Sequence, residues 1–239
     1  MKNKTIVIFL IGMALVITGV IVAEFLSKQP GRQPANPYAY DMASQTDVPK
    51  ELIHYKETRN LKLNMENLSA ISWSPGILAA AGDRHLLVID LQGQVLKEIS
   101  LDFDPGCVKA SGDGYFVGGG NRIVALDTAG NILATFEGLY ENSVITSIDI
   151  SGEKVFAADA GKRLVYRFNL QGEKELEFEG KSGEGSNHGF IVPSPCFDLV
   201  ISPFDELWVV NPGKHALENY TFDGTLRGFW VATFSDVKG

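Results

Sequence analysis

One short pattern occurs four times along the chain, and this repetition restricts the possible folds more than any single motif does. The repeats span Ile71–Leu101, Val108–Leu139, Ile148–Gly180 and Leu199–Trp230. Each repeat has four short apolar segments separated by polar or glycine-containing turns, in roughly 40 residues. A unit of this length predicts one four-stranded sheet, which buries little alone and needs neighbouring sheets against its faces. The repeats therefore predict an all-β fold of stacked sheets, a β-propeller.

Glycine occurs at the same turn of every repeat, between its third and fourth apolar segments. Small residues in the second segment, such as Ala79–Ala81, leave room for neighbouring sheets to approach closely. A β-sandwich with similar turns is the alternative, but four copies in one register favour the propeller. The turn glycines are Gly93, Gly130, Gly172 and Gly224.

The turn before the third segment carries a further shared pattern, which reads Gly82-Asp83-Arg84-His85-Leu86 in the first repeat. This turn, together with an Asp-x-x-Gly hairpin after the third strand, resembles the NHL repeat, which is named after Asn-His-Leu at that turn. The resemblance covers about Leu61 to Trp230 and implies a propeller of six blades. The other turns are Gly120-Asn121-Arg122-Ile123, Gly161-Lys162-Arg163-Leu164 and Gly213-Lys214-His215-Ala216, and the hairpins are Asp90–Gly93, Asp127–Gly130, Asn169–Gly172 and a shortened Asp223-Gly224.

Two segments, Val192–Leu199 and Leu207–Gly213, resemble a membrane-anchored bacterial subfamily of NHL proteins. Members of that group continue with more blades and a cysteine-rich segment, whereas four blades are recognisable here and residues 231–239 fit no repeat. The resemblance therefore implies a chain that is truncated at its C-terminal end. Leu52–Leu63 is expected to be the outer strand of a closing blade whose partners are absent. Closure of the open array by dimerisation is the alternative.

The N-terminal region contains an apolar run, Ile6–Ala23, without charge or proline. Its length is close to the ~20 residues that a helix needs to cross a hydrocarbon core. Lys2 and Lys4 precede the run and favour a cytoplasmic N-terminus, which places the rest of the chain outside the cytoplasm. We therefore predict a single-pass membrane protein with a periplasmic C-terminal domain. Cleavage of the run as a signal peptide, followed by secretion, is the alternative.

Composition divides the chain into three predicted parts. These are a cytoplasmic tip with a transmembrane signal anchor at 1–26, a polar proline-containing linker at 27–50, and an incomplete propeller domain at 51–239. A net charge of −8 without a basic stripe argues against a nucleic-acid partner. The two distant cysteines, Cys107 and Cys196, exclude a disulfide-rich scaffold and a cysteine-rich metal site.

Propeller enzymes hold their metal ligands on inner strands around a central channel, and the resemblance implies what those ligands are. Lyases with NHL-like repeats use histidines, and lactonase-like relatives use Glu, Asn and Asp around a calcium-type ion. The inner strands here offer two carboxylates, Asp149 and Asp198, but no histidine or glutamate. Hydrogen bonding across the channel is the structural alternative for both, so we predict no metal, no cofactor and no catalytic residue. The inner strands are expected near 70–73, 107–110, 147–150 and 198–201.

A glycine-rich insertion, Gly180–Gly189, separates the third and fourth repeats and is the best candidate for binding a ligand or partner. Loops at the end of a propeller carry specificity while the blades hold them rigid. The insertion lacks the full phosphate-loop pattern and no helix signal follows it, so nucleotide binding is not expected. A flexible connector is the alternative. The candidate residues for binding a ligand or partner are Lys181, Glu184, Asn187 and His188 of the insertion, together with Asp149 and Asp198 of the inner strands.

Function follows from these features together. His85, Arg122, Arg163 and His215 share one place in the repeat, and a place shared by arginine and histidine indicates a structural turn position. An anchor, a linker and repeats without a catalytic set predict a membrane-tethered, extracytoplasmic module that binds or scaffolds a protein or small molecule at the propeller face. A calcium-dependent hydrolase or lyase is the first alternative. A redox partner is the second, and it rests on the subfamily's cysteine-rich continuation.

Overall fold

The computed structural model describes residues 2–27, 55, 57–180, 189–193 and 196–231. The chain divides into two compact units, Met1–Asn60 and Leu61–Gly239. In the first unit, helix α1 spans Lys2–Ser27. Within the part of the chain that the structure describes, no helix combines the length and the apolarity that a membrane crossing requires. The transmembrane helix predicted at 1–26 therefore finds no support in the described residues.

The second unit contains four antiparallel sheets, each made of four strands that follow one another along the chain. This confirms the all-β class of the repeats and the four predicted four-stranded units. Sheet 1 contains β1 (Leu68–Ser74), β2 (Ile77–Gly82), β3 (His85–Asp90) and β4 (Val95–Ser100), and sheet 2 contains β5 (Cys107–Ser111), β6 (Gly114–Gly119), β7 (Arg122–Asp127) and β8 (Ile132–Thr135). Sheet 3 contains β9 (Ile145–Ser151), β10 (Lys154–Asp159), β11 (Leu164–Asn169) and β12 (Lys174–Phe178), and sheet 4 contains β13 (Leu199–Ile201), β14 (Leu207–Asn211), β15 (Ala216–Tyr220) and β16 (Leu226–Val231).

The sheets stack in chain order with their first strands side by side. β5 contacts β1 and β9, and β9 contacts β13, so the first strand of each sheet is the inner strand, as predicted. Successive side chains of a strand point to opposite faces. In β10, Val155 therefore packs toward sheet 2 and Phe156 toward sheet 4, and both are fully buried. We call the face toward the preceding sheet the leading face and the other the trailing face.

The four turn glycines fit the sheets together. All of them adopt left-handed φ angles, from 81° at Gly224 to 95° at Gly130. Residues other than glycine adopt such angles only at a cost in conformational free energy. A Cβ at Gly130 would lie 2.9 Å from Cγ1 of Ile99 in β4, and one at Gly224 would lie 2.9 Å from Cγ of Phe178 in β12. Glycine therefore permits both the turn conformation and the close contact with the outer strand of the preceding sheet.

The segment before β1 takes a similar place on sheet 1. A Cβ at Gly93 would lie 2.6 Å from Cδ2 of Leu61, and Leu63 and Met65 pack against the leading face. The described residues of the range 52–63, which are 55 and 57–63, form no strand, so the prediction of an outer strand is wrong for them. Its remaining residues lie outside the described part. The physical reason is that no neighbouring strand pairs with this segment among the described residues.

Two details of the predicted register are also wrong. His85 and Arg122 begin β3 and β7, whereas Arg163 and His215 precede their strands and adopt φ angles of 59° and 50°. The four residues are therefore not equivalent, because the turns of sheets 3 and 4 are longer than those of sheets 1 and 2. The last hairpin is not shortened, because the Gly224 N–H bonds the carbonyl of Thr221 at 3.0 Å, as Gly93 bonds Asp90.

Candidate binding site on the inner strands

One position in each of the first three inner strands joins that strand to the next. The Ser72 Oγ accepts a hydrogen bond from the Ala110 N–H at 2.9 Å. Lys109 Nζ lies 2.6 Å from Oδ1 of Asp149, and Oδ2 of Asp149 accepts the Ile201 N–H at 2.8 Å. A continuous series of polar contacts thus crosses all four inner strands. The equivalent residues in the strand pairing are Ser72, Lys109, Asp149 and Val200.

Asp149 is the buried centre of this series. Only 4% of it is exposed, and its Oδ1 also accepts the Ile150 N–H at 2.8 Å. Both carboxylate oxygens are therefore engaged, and Lys109 supplies the opposite charge that a buried carboxylate requires. A cationic ligand would have to displace Lys109. This geometry matches the structural alternative for Asp149, and its role in ligand binding stays a prediction.

Asp198 lies immediately before β13 and is exposed. Its Oδ1 accepts the Ser147 hydroxyl at 2.5 Å and the Leu199 N–H at 2.9 Å. Asp198 and Asp149 thus both connect β9 with the chain of β13, Asp198 near the start of β13 and Asp149 at its end. Across the described residues, no three His, Cys, Asp or Glu side chains lie close enough together to hold a metal ion.

The two cysteines are both free, and their environments differ. Cys107 begins β5, is 6% exposed, and donates its S–H to the Gly118 carbonyl at 3.6 Å. Burial raises the pKa of Cys107 to about 12, so the thiolate that redox exchange requires does not form near neutral pH. Cys196 is exposed. Because the cysteines are unpaired and Cys107 is unreactive, the redox-partner hypothesis gains nothing from them.

The other predicted site residues belong to the insertion. Lys181, Glu184, Asn187 and His188 lie outside the described residues, so their role in binding stays a prediction. The described chain on both sides of the insertion is held together, since the Phe190 N–H donates to the Glu179 carbonyl at 2.7 Å. In the chain, the insertion lies between β12 and β13.

The sequence did not predict two buried sets of polar contacts, one in sheet 3 and one in sheet 4. Glu218 is 1% exposed, and its carboxylate accepts hydrogen bonds from Nδ2 of Asn211 at 3.0 Å and the hydroxyl of Tyr220 at 2.5 Å. In sheet 3, the Tyr166 hydroxyl donates to Oδ2 of Asp159 at 2.9 Å. Burial is the main cause of the raised pKa of both tyrosines. Asp159 and Asn211 occupy the same position of their repeats, at the end of the second strand, and a polar residue at that position is the sequence signal for these contacts.

Comparison with known proteins bears on the fold. No family model matches the chain. No curated protein matches it either. Among solved structures, a streptogramin B lyase superposes with a TM-score of 0.58 at 14% identity, over 72% of this chain and 57% of the lyase. The virginiamycin B lyase of Staphylococcus aureus superposes with a TM-score of 0.58 at 17% identity, over 72% of this chain and 59% of the lyase.

A catalytically inactive variant of the Staphylococcus aureus lyase, with quinupristin, gives a TM-score of 0.56 at 18% identity, over 72% of this chain and 59% of the other. The computationally designed Ika4 protein matches 75% of this chain and 99% of its own length at 16% identity, with a TM-score of 0.49. The chain spans less than three fifths of the length of the lyases. Four stacked antiparallel sheets and the likeness to the lyase structures define a β-propeller-like fold. No comparison supports the NHL family in particular.

Proposed function

We propose that the stacked sheets form a binding module that holds a protein or small-molecule ligand at the end where the inner strands begin. The carrying observation is the contrast between Asp149 and Asp198. Asp149 is buried and engaged with Lys109, whereas Asp198 is exposed and lies between the insertion and β13 in the chain. Asp198 therefore offers a carboxylate to a ligand, and Lys181, Glu184, Asn187 and His188 supply further polar groups from the insertion.

Binding without metal-dependent turnover fits the use that the inner strands make of their polar groups. Ser72, Lys109 and Asp149 join neighbouring strands, and this leaves their side chains committed to the fold. A rigid support of this kind is what ligand-binding loops require. The NHL-type, six-bladed form of the propeller stays part of the proposal and rests on the turn and hairpin motifs.

A lyase is the second candidate, because the structural neighbours named above are streptogramin B and virginiamycin B lyases. At 14–18% identity this likeness shows the fold alone, and the chain spans only part of those enzymes. Such an activity would need groups beyond the described inner-strand residues, since Asp149 is already neutralised by Lys109.

Membrane attachment through residues 1–26, with the sheets outside the cytoplasm, is a separate part of the proposal. It rests on the sequence alone, on the uncharged run Ile6–Ala23 and on Lys2 and Lys4 before it. Secretion after cleavage of the run is the alternative. Sizing the mature N-terminus by mass spectrometry in the membrane and soluble fractions distinguishes the two.

Site-specific photo-crosslinking of the full chain tests the binding site. A benzophenone amino acid replaces Cys196 in one protein and Leu133 in the control. Cys196 is exposed two residues before Asp198, and Leu133 is 66% exposed on the outer strand β8. We expect a defined adduct from position 196 and none from position 133. Equal crosslinking at both positions, or none at 196, contradicts the proposed site.

Metal analysis and a turnover assay separate the two candidates. For a binding module, we expect the purified protein to contain no stoichiometric calcium or zinc and to leave the chromatographic retention and the fragmentation spectrum of added quinupristin unchanged. Tightly bound metal that is lost in Asp149→Ala or Asp198→Ala, or conversion of quinupristin to a product of different retention or fragmentation, favours the enzyme instead.

A further inference from the structure

A pocket of about 210 Å³ lies between sheets 2 and 3, at the end of the stack where the inner strands finish. Its apolar wall combines Phe116 and Ala125 of sheet 2 with Ile150 and Leu170 of sheet 3. The first three of these residues belong to the core between the trailing face of sheet 2 and the leading face of sheet 3. Asp198 lies at the opposite end, where the inner strands begin, so this pocket is separate from the site proposed above.

The corresponding space between sheets 3 and 4 is filled. Arg167 is opposite Phe156 in sheet 3, as Ala125 is opposite Phe116 in sheet 2. The Arg167 guanidinium donates to the Phe222 carbonyl at 2.7 Å, and the rings of Phe222 and Phe156 lie with centroids 4.9 Å apart. Between sheets 2 and 3, an alanine replaces this arginine and a leucine takes the place of Phe222 in the turn. Two smaller side chains therefore leave the pocket open.

The small residues of sheet 2 differ in what the fold requires of them. A Cβ at Gly114 would collide with the carbonyl oxygen of Leu126, so the backbone requires glycine there. Ala125 has no such constraint, because the equivalent residue is Val88 in sheet 1 and Arg167 in sheet 3. The chain thus keeps a small side chain at position 125, where the same strand position accepts larger ones in neighbouring sheets.

The polar side chains of the lining are Asp113 and Ser111. The Ser111 hydroxyl donates to the Gly114 carbonyl at 3.2 Å, which leaves the hydroxyl oxygen free to accept. Asp113 is exposed, and within the described part of the chain its carboxylate has no hydrogen bond or ion pair. The residues that line the pocket include no lysine, arginine or histidine. A ligand therefore meets hydrogen-bond acceptors and one negative charge, which is complementary to a positively charged donor.

The volume of the pocket limits the ligand to about one ring. An apolar cavity of about 150 Å³ accommodates a benzene molecule. A pocket of about 210 Å³ therefore accommodates one ring with a short side chain. The net charge of −8 also favours a cation over an anion near this surface.

We propose that the pocket between sheets 2 and 3 binds a small primary ammonium compound that carries one aromatic ring. The ring packs between Phe116 and Ile150, and the ammonium group donates to the Asp113 carboxylate and the Ser111 oxygen. Asp198 and the insertion take no part in this binding. The proposal can therefore fail or succeed independently of the function proposed above.

Methyl NMR titration of the full chain in a mild detergent tests the pocket, with 2-phenylethylammonium as the probe. The methyl groups of Ile150 report binding, and those of Ile191 are the control, because Ile191 is 38% exposed and does not line the pocket. We expect a saturable shift at Ile150 alone. Phenylacetate and 2-phenylethanol, which have a similar size but no positive charge, should bind more weakly than the ammonium compound.

Three variants assign the contacts. Asp113→Asn should raise the dissociation constant about twofold to fivefold, the range expected for an exposed ion pair. Ala125→Met should raise it about tenfold or more, because the longer side chain occupies the space of the ring. Glu141→Gln is the matched control for the loss of a negative charge, since Glu141 is exposed in the connection between β8 and β9, and it should leave the dissociation constant unchanged.

Any of three results overturns the proposal. These are the absence of a saturable shift at Ile150, equal binding of phenylacetate or 2-phenylethanol, and an unchanged dissociation constant in Ala125→Met with a native far-UV circular dichroism spectrum. If Ala125→Met does not fold, Asp113→Asn decides, because Asp113 is exposed, and an unchanged dissociation constant in that variant overturns the proposal. Leu133 also lines the pocket, so the crosslinking control at that position is measured without the added amine.

Discussion

Replacement of Gly130 by alanine tests whether the turn glycines set the spacing of the sheets. Gly130 adopts a φ of 95°, and an added Cβ would lie 2.9 Å from Cγ1 and 3.0 Å from Cδ1 of Ile99. Ile99 is 9% exposed and belongs to the core between sheets 1 and 2. Relief of the contact would therefore require movement of a buried side chain or separation of the two sheets.

The expected loss has two parts that controls separate. A side chain in the left-handed region costs about 1–2 kcal/mol, and overpacking a well-packed core costs about 1–3 kcal/mol. Gly130→Ala should therefore lower the free energy of unfolding by roughly 2–5 kcal/mol. Gly76 has a φ of 88° but no atom within 4 Å of an added Cβ, so Gly76→Ala should show the conformational part alone. Gly112 has open space and no left-handed φ, so Gly112→Ala should be neutral or stabilising by up to about 1 kcal/mol.

Urea unfolding of the full chain, followed by tryptophan fluorescence, measures all three variants. The double variant Gly130→Ala with Ile99→Ala gives the coupling between the two positions, because it removes the atoms that an added Cβ would meet. The expected sign is a partial rescue by the second change. Equal destabilisation in Gly130→Ala and Gly76→Ala would refute the reasoning, since the contact with Ile99 would then contribute nothing.

Three further predictions follow from single side chains. A maleimide should label Cys196 in the folded protein, whereas Cys107, with its pKa near 12 and its buried thiol, should react only after unfolding; mass spectrometry counts the labels. Asp149→Ala should cost about 1–3 kcal/mol in urea unfolding, because the Ile201 N–H loses its acceptor. Lys109 also loses its counter-ion, but its side chain is 35% exposed and can be hydrated. An unchanged free energy of unfolding would show that the contacts of Asp149 are not structural. Hydrogen bonds from Asn131 lower the pKa of Asp127 in the folded state. This carboxylate therefore stabilises the protein above about pH 4, and its contribution disappears as the pH falls through the lowered pKa. Asp127→Asn should reduce the difference in unfolding free energy between pH 7 and pH 3, and an unchanged difference contradicts the assignment.

The sheets were predictable from the sequence because their signals are local. Apolar segments of strand length, separated by turn residues, indicate hairpins, and Gly93 and Gly130 mark the same turn in two repeats. The inner strands followed from the register of those repeats. The positions of Asp149 in β9 and of Asp198 just before β13 could therefore be predicted from the sequence.

The interactions of those residues were not predictable in the same way. Lys109 lies on a different sheet from Asp149, and their contact depends on how far one inner strand is displaced along the next. The prediction that the last hairpin is shortened was wrong because its first residue is not an aspartate. Thr221 replaces the aspartate of the hairpin through its own hydroxyl, which accepts the Thr225 N–H at 3.1 Å, so the motif is conserved in hydrogen bonding but not in residue type. The chemistry of a turn can be met by more than one side chain.

The polar contacts of the inner strands indicate which substitutions act on the fold and which act on ligand binding. Ser72, Lys109 and Asp149 each bond the next inner strand, so the polar residues nearest the sheet stack's inner edge are committed to holding the sheets in register. Val200, the fourth residue of that series, is apolar and 53% exposed, and the series ends where the described stack ends. Substitutions within the series should therefore act on stability, and substitutions in the insertion should act on binding. A substitution at Asp198 should act on both, because its Oδ1 also accepts the Ser147 hydroxyl. A module whose contacts divide in this way can change its ligand without changing its fold.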